Sequence, residues 1–142
     1  MRKDNAVAKV LVADVAEMDE KIRECLPEHD LTFVRTMVDA VRELRRDGYQ
    51  VVVIGLHFDE SRMFELLQYV RSLPKYDHTP VLCVQGLELA LSEAIRKNID
   101  MAVKALGGRA FLDLREHSLL MREHCSFMDR VATETGTPLR PQ

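Results

Sequence analysis

The sequence predicts an α/β fold built on a parallel sheet. Short runs rich in β-branched residues alternate along the chain with longer stretches whose apolar residues recur at helical spacing. The third of these runs, residues 51–54 (VVVI), is continuously apolar, which is typical of a central strand covered by helices on both faces. No internal repeat or low-complexity segment interrupts the alternation before the last residues. We therefore expect strands that run in one direction, with helices packed on both sides of them.

The first half of the chain predicts two strands and two helices ahead of the central run. Residues 9–13 (KVLVA) and 31–35 (LTFVR) are the strands, because they are short and rich in β-branched and aromatic side chains. Residues 17–26 form the first helix, which ends before a proline. The second helix covers residues 37–46 and follows Thr36, a residue type that favours the N-cap position. Its predicted inward-facing residues are Met37, Val38, Val41 and Leu44.

The central strand is followed by a third helix and a fourth strand. The helix is expected to run through Arg71, and either Asp59 or Ser61 is placed to cap its N-terminus. Apolar residues recur along it at helical spacing. The strand covers residues 81–84 (VLCV), after a loop bounded by two prolines.

The last part of the chain predicts a long helix, a short strand and a final helix. The long helix covers residues 87–106 and is stopped by two glycines. Residues 110–112 form the fifth strand, and Ser118 caps the last helix, residues 119–133. The apolar stripe of the long helix consists of Leu91, Ala94, Ile95, Ala102, Val103 and Leu106.

Length and composition limit the classes of function that the chain can have. A chain of 142 residues favours one domain, which we place at residues 1–135, followed by a flexible C-terminal tail at residues 136–142. Its 20 Lys and Arg against 23 Asp and Glu give a net charge of -3, so no basic field favours nucleic-acid binding. No run of residues is apolar for long enough to span a membrane. The three cysteines, Cys25, Cys83 and Cys125, are odd in number and far apart, which predicts neither a disulfide framework nor a zinc site and fits a reducing cytoplasm.

The residues at the ends of the strands are the first candidates for a functional site. In a parallel α/β sheet the carboxyl ends of the strands meet at one edge, and ligands of such folds bind there. The residues in these positions are Asp14 and Val15 after the first strand, Gly55 after the third, Gln85 after the fourth, and Asp113 and Leu114 after the fifth.

Several segments of the sequence resemble the receiver domain of bacterial two-component response regulators. The matching segments are VLVAD at the first strand, DGYQVVVIGL at the third, ELLQYVR in the third helix, TPVLCV at the fourth strand and LGGRAFL at the fifth. The resemblance extends over nearly the whole chain. It implies a CheY-like, flavodoxin-like three-layer sandwich with five parallel strands in the order 2-1-3-4-5 and five helices. It also implies a role in cytoplasmic phosphorelay signal transduction in bacteria.

The residues that carry phosphotransfer in receivers are replaced in this chain. Receivers have two acidic residues after the first strand, a phosphate-accepting aspartate after the third, Ser or Thr after the fourth and lysine after the fifth. The corresponding residues here are Asp14, Val15, Gly55, Gln85 and Leu114, with Asp113 in the lysine position if the register shifts by one. Aspartyl phosphorylation needs a carboxylate nucleophile, a Mg²⁺ ion held by oxygen ligands and a cation facing the phosphoryl group. We therefore expect a pseudo-receiver that is not phosphorylated, is not an enzyme and holds no cofactor or metal.

Other residues near the strand ends allow two interpretations. His57, Asp59 and Glu60 follow Gly55 and, together with Asp14, have side chains of the metal-ligand type. Capping and solvation of the next helix explain them more simply. The aromatic Phe111 on the fifth strand corresponds to a side chain that changes position in receivers, but here we favour a fixed core position. The emptied acidic site also leaves a second function open, that of a small-molecule or ion sensor in a remodelled pocket.

A signalling role without phosphorylation implies protein–protein interaction. The resemblance places the partner surface on the fourth helix, fifth strand and fifth helix, with a histidine kinase, an output domain or a second copy of the chain as the partner. No direct contact with nucleic acid or with a membrane is expected. The residues expected to form this surface are Arg96, Lys97, Asp100, Met101, Lys104, Arg109 and Phe111.

Overall fold

A five-stranded parallel sheet lies between two layers of helices in the computed structural model of the chain, which describes residues 6–87 and 91–138. The strands are β1 (Ala6–Val7), β2 (Lys9–Ala13), β3 (Asp30–Val34), β4 (Val51–Gly55), β5 (Val81–Gln85), β6 (Ala110–Asp113) and β7 (Thr137–Pro138). The helices are α1 (Asp19–Cys25), α2 (Met37–Arg46), α3 (Met63–Arg71), α4 (Glu93–Ala105) and α5 (Met121–Thr135). The order of the parallel strands, β3-β2-β4-β5-β6, confirms the predicted order 2-1-3-4-5 and the three-layer sandwich. Within the described residues, no helix has both the length and the apolar character needed to cross a membrane.

The alternation of side chains along each strand divides the core into two halves. Leu11 and Val52 belong to the half that is covered by α2, α3 and α4. Val12 and Val53 belong to the other half, which is covered by α1 and α5. Every residue of β4 is buried, which confirms its prediction as the central strand.

The N-terminus of α2 lies where the sequence predicts it, but one of its caps comes from a distant segment. The Asp59 carboxylate accepts a hydrogen bond from the Met37 N–H (2.8 Å), so this side chain caps α2. The prediction that Asp59 or Ser61 caps α3 is therefore wrong. Residues 59–61 have φ angles of 42°, 58° and 68°, and this left-handed turn cannot continue directly into a right-handed helix. For that reason α3 begins only at Met63.

The helices α4 and α5 begin later than predicted. The Ser92 hydroxyl accepts a hydrogen bond from the Ile95 N–H (3.1 Å), so it caps α4 and the helix begins at Glu93 instead of residue 87. Residues 88–90 of the predicted helix lie outside the described residues. The last helix begins at Met121 instead of residue 119. Among the predicted inward-facing residues of α2 and α4, Val38, Ala94 and Ile95 are exposed.

The residues after α5 pair with the N-terminal residues of the described chain. The strand β7 runs antiparallel to β1, with Thr137 opposite Val7. The Gln50 side chain strengthens this contact by donating hydrogen bonds to the Thr135 carbonyl oxygen (3.2 Å) and to the Thr137 hydroxyl (3.1 Å). The start of the predicted tail is therefore held against the sheet, and residues 139–142 lie outside the described residues.

The cysteines Cys25 in α1 and Cys125 in α5 form a disulfide bond, and their Cα atoms are 4.9 Å apart. The prediction that the chain forms no disulfide is wrong. A separation of 100 residues does not fix the distance in space, and both helices pack on the same face of the sheet. The third cysteine, Cys83, is free and buried in β5. The bond also removes the cysteine pattern as support for a reducing compartment.

Candidate functional site

The carboxyl ends of the parallel strands bring the predicted pocket residues to one edge of the sheet. Asp14 directly follows β2, Gly55 ends β4 and Gln85 ends β5. In the register of the sheet, Gln85 lies opposite Asp113, which ends β6 and is followed by Leu114. These residues therefore share the edge where ligands of parallel α/β sheets bind.

The space above Gly55 is filled by the side chain of Asp14. A Cβ atom added to Gly55 would overlap the carboxyl carbon and both carboxyl oxygens of Asp14. Only a residue without a side chain fits there while Asp14 keeps its position. The carboxyl group of Asp14 thus occupies the volume into which a side chain at position 55 would extend.

The carboxyl group of Asp14 is buried, and no cation from residues 6–87 or 91–138 is paired with it directly. Only 2% of Asp14 is exposed, and its Oδ1 accepts a hydrogen bond from the Val15 N–H (2.8 Å). The guanidinium of Arg35 donates instead to the backbone oxygen of Asp14 (3.1 Å) and to Oδ2 of Asp19 (2.5 Å). Burial raises the pKa of Asp14 to about 7, although the Val15 N–H and the charge of Arg35 lower it in part. A large fraction of this group is therefore uncharged at neutral pH.

The end of β5 is also closed by side chains. A Cβ atom at Gly86 would overlap the Sδ and Cε atoms of Met18, which ends a short 3-10 helix (Ala16–Met18) after β2. Gln85 is fully buried, and its Oε1 accepts a hydrogen bond from Nε of Arg96 (3.3 Å) while its Nε2 donates to the Leu87 carbonyl oxygen (3.4 Å). The amide of Gln85 is therefore bound within the protein.

At the end of β6 the two candidates for the lysine position are uncharged or acidic, and the adjacent cation, Arg115, is paired with Asp113. Leu114 is buried in the core, and its N–H donates to the Gln85 carbonyl oxygen (2.7 Å). Asp113 forms a two-pronged ion pair with Arg115, at 2.8 and 2.7 Å. Burial alone would raise the pKa of Asp113, but the hydrogen bonds from Arg115 and Ser118 outweigh it and lower that pKa to about 2. Whether Leu114 or Asp113 takes the lysine position, that position therefore holds no positively charged side chain.

The residues at this edge do not fit a Mg²⁺ ion, which needs several oxygen ligands in near-octahedral geometry. Val15 and Gly55 have no side-chain oxygen, and the Asp14 carboxyl group is buried against Gly55. Within residues 6–87 and 91–138, no three His, Cys, Asp or Glu side chains are grouped as metal ligands. Asp59 caps α2 instead, and Nε2 of His57 is buried without a hydrogen-bond partner in the described structure.

The residues predicted to form a partner surface divide into two groups. Arg96 is bound to Gln85, and Asp100 accepts a hydrogen bond from the Phe111 N–H (3.0 Å) and pairs with Lys104 (3.0 Å). Phe111 is 8% exposed and lies in the core cluster with α3 and α4. These three residues thus have structural contacts. The residues that the structure leaves exposed are Lys97, Met101, Lys104 and Arg109.

An open groove of about 630 Å³ lies between β6 and α5. Its lining includes Arg122, Phe127 and Arg130, which the sequence reasoning did not single out. The guanidinium groups of Arg109 and Arg130 lie 5.8 and 5.6 Å from the ring centre of Phe127. The sequence signal for this cluster was the spacing of Phe127 and Arg130 on α5, because residues three to four positions apart share a helix face.

Comparison with known proteins shows similarity at the level of structure only. No family model matches this chain, and no curated protein matches it significantly. The phosphorylated cyanobacterial phytochrome response regulator RcpA is similar with a TM-score of 0.71 at 16% identity, over 95% of this chain and 100% of that one. The chemotaxis response regulator CheY4 of Vibrio cholerae gives 0.66 at 18% identity, over 88% and 98%. The non-phosphorylated HemR receiver domain from Leptospira biflexa gives 0.63 at 20% identity, over 96% and 97%.

This chain has the receiver fold. At these identities the similarity concerns the fold, so the chemistry of the site has to be judged from its own residues. In this receiver fold, the edge that carries the strand ends combines a glycine, a buried amide and a buried carboxyl group of raised pKa. Such an arrangement provides no nucleophile at position 55, and its side chains do not fit a Mg²⁺ ion.

Proposed function

We propose that this chain is a pseudo-receiver, a receiver-fold signalling module that acts through association with other proteins and is not phosphorylated. The observation that carries the proposal is the overlap between the Asp14 carboxyl group and any side chain at Gly55. The acceptor position has neither a nucleophile nor room for one in this arrangement. The proposal includes a bacterial, cytoplasmic setting in a two-component pathway, as expected from the resemblance of the sequence.

The chemistry of phosphorylation also makes it unfavourable for Asp14 to act as the phosphate acceptor in place of the missing aspartate at position 55. An aspartyl nucleophile must be ionised and reachable, and the charge on the phosphoryl group must be offset by a metal ion and a cation. Asp14 is almost completely buried, and burial raises its pKa to about 7. At the ends of β5 and β6, Gln85 and Leu114 carry no charge. Several requirements of the reaction are therefore unmet together, which supports a role without catalysis.

We place the partner surface on α4, β6 and α5. On α4, Met101 is 62% exposed and lies between the exposed residues Lys97 and Lys104. On α5, the groove beside Phe127 is lined by the exposed residues Arg122 and Arg130. A histidine kinase, an output domain or a second copy of the chain remain the candidate partners. A small-molecule or ion sensor at the strand ends is less favoured, because the side chains of Asp14 and Met18 fill the space beside Gly55 and Gly86.

Binding of a phosphoryl analogue tests the proposal. We expect no saturable heat of binding when the chain is titrated with Mg²⁺ and then with beryllofluoride, because the oxygen ligands and the cation are missing. The backbone amide resonances of Gly55, Gln85 and Leu114 should also stay in place. The control is Asp14→Asn, which should respond in the same way as the wild type. Saturable binding of beryllofluoride in the wild type that Asp14→Asn abolishes would contradict the proposal.

Self-association tests one of the candidate partners. If the partner is a second copy, sedimentation should show a dimer that the charge reversals Lys97→Glu and Arg109→Glu weaken. The control Lys75→Glu changes an exposed lysine that precedes β5, and it should leave the dimer intact. A dimer that persists in Lys97→Glu and in Arg109→Glu but is lost in Lys75→Glu would place the dimer interface outside α4, β6 and α5. A monomeric wild type would exclude the second copy and leave the kinase or an output domain.

A further inference from the structure

Three side-chain contacts at regular spacing join α1 and the segment after it to α5. Nζ of Lys21 lies 3.9 Å from Sδ of Met121 and 3.3 Å from a carboxylate oxygen of Glu116. One helical turn further, Cys25 and Cys125 form the disulfide. A further four residues along, Nε2 of His29 and a carboxylate oxygen of Asp129 are 3.0 Å apart.

The two outer contacts join α5 to α1 and to the segment after α1 independently of the covalent bond. Met121, Cys125 and Asp129 lie four positions apart and so on one face of α5, and their contacts with Lys21, Cys25 and His29 form one seam. The His29 ring is 2% exposed, and its Nδ1 accepts a hydrogen bond from the Ala8 N–H (3.0 Å), which fixes its position. With the bond reduced, the two sulfur atoms therefore stay close, and the reaction that joins them is intramolecular.

We propose that Cys25 and Cys125 are a reversible dithiol–disulfide site, whose redox state determines whether α5 is covalently fixed to α1. The site does not depend on the signalling role proposed above. Small-molecule thiols and disulfides of the glutathione type are the reactants that fit it, because Cys125 is partly exposed whereas Cys25 is 3% exposed.

The reduction proceeds in two exchange steps. A thiolate attacks Sγ of Cys125, the bond between the two protein sulfurs breaks, and Sγ of Cys25 leaves with the electron pair and takes up a proton. A second thiolate then attacks the external sulfur of the mixed disulfide and releases Cys125 as a thiol. The protein disulfide is reduced to two thiols while two external thiols are oxidised to one disulfide. Oxidation by an external disulfide follows the same steps in reverse.

Lys21 and Cys83 are the two other residues whose reactivity bears on the exchange. The ammonium group of Lys21 lies one turn before Cys25 on the same helix, and carboxylate oxygens of Glu24 and Glu116 lie 3.7 and 3.3 Å from it. Cys83 is fully buried in β5 and has no access to external thiols. It therefore takes no part in the exchange and provides the matched control.

Equilibration in glutathione buffers tests the proposal. We expect the fraction of disulfide, trapped by alkylation and read by intact mass, to change with the ratio of reduced to oxidised glutathione while the circular dichroism stays native. Reduction should speed amide exchange in α5 by about tenfold or more and leave β4 unchanged, because the bond joins α5 to α1 and involves no residue of the central strand. Cys83→Ala should titrate as the wild type does; if that variant does not fold, mapping the alkylated residues shows whether Cys83 reacts. A disulfide that survives millimolar reduced glutathione in the folded chain would overturn the proposal. So would thiols that stay reduced in oxidised glutathione, or reduction that unfolds the chain.

Discussion

Gly55 has no side chain, and the carboxyl group of Asp14 lies in the volume that a Cβ atom there would take. The two residues therefore depend on each other. A glycine in a central strand is unfavourable on its own, because it adds no packing and loses more chain entropy on folding than other residues. Its presence at the end of β4 is explained by the buried carboxyl group beside it.

Gly55→Ala is expected to lower the free energy of unfolding by about 1–3 kcal/mol, because the new methyl group overlaps Asp14 in a packed region. The control is Gly48→Ala, where no atom lies within 4 Å of the added Cβ and the change should stay within about 0.5 kcal/mol. Urea denaturation measures both. In the double variant Asp14→Ala, Gly55→Ala the cost should fall below the sum of the single costs. Equal effects at positions 55 and 48 would contradict the overlap.

The protonation of Asp14 gives the chain a pH-dependent stability. Its folded pKa is raised from 3.8 to about 7, so the folded state binds more protons than the unfolded state between these values. The stability linked to the protonated carboxyl is therefore fully present below about pH 4 and lost as the pH rises through about 7. Asp14→Asn, which cannot ionise, should gain stability relative to the wild type as pH rises, by at most about 1.4 kcal/mol per pH unit. Urea denaturation between about pH 4 and 8 measures this difference.

Asp113 provides the control for this pH dependence. Its pKa is lowered from 3.8 to about 2, so its contribution is present above about pH 4 and is lost only as the pH falls toward 2. The stability difference between Asp113→Asn and the wild type should thus be constant from about pH 5 upward. A constant difference for Asp14→Asn as well would show that the buried carboxyl group does not titrate in this range.

The edge strand β6 is protected by side chains of the helices on both sides of it. The Phe111 N–H donates to Asp100 of α4, and the Asp113 N–H donates to Nδ1 of His124 of α5 (2.8 Å). Unpaired backbone groups on an edge strand are a template for unwanted strand pairing. Asp100 therefore has a structural role, whereas the sequence predicted it only as part of a partner surface.

Asp100→Ala is expected to lower the free energy of unfolding by about 1–2 kcal/mol, because the part-buried Phe111 N–H loses its acceptor. Lys104→Ala removes the exposed ion pair with Asp100 and should cost about 0.5 kcal/mol or less. Asp100→Asn keeps an oxygen acceptor and should stay close to the wild type. Thermal or urea denaturation separates the three variants. A cost of Lys104→Ala equal to that of Asp100→Ala would assign the effect to the ion pair.

A local signal predicted the start of α2, whose first residue follows a capping side chain adjacent in sequence. Thr36 is both the predicted and the observed N-cap of α2, because its hydroxyl accepts from the Asp39 N–H (3.2 Å). The start of α4 was missed because apolar residues before Ser92 continue the helical pattern, and pattern alone does not show where a cap lies. Asp59 was assigned to the wrong helix because its partner, Met37, is brought close only by the fold.

At the scale of the whole molecule, the central position of β4 follows from its continuously apolar run, whereas the order of all five parallel strands was predicted through the resemblance to receiver domains. The disulfide and the pairing of β1 with β7 did not follow, since both join residues that are more than 90 positions apart. The positions of the site residues were predictable from the strand ends. The filling of the space above Gly55 by Asp14 was not, because side-chain direction depends on the assembled sheet.

The most direct test of the pseudo-receiver account is the intact mass of the whole chain after incubation with acetyl phosphate and Mg²⁺. A phosphorylatable receiver domain treated in parallel shows that the reagent is active. The account predicts that this chain gains no phosphoryl group, because Gly55 has no nucleophile and the Asp14 carboxyl group is buried. A stoichiometric gain of one phosphoryl group, mapped to Asp14 or to any residue of the strand ends, would contradict it.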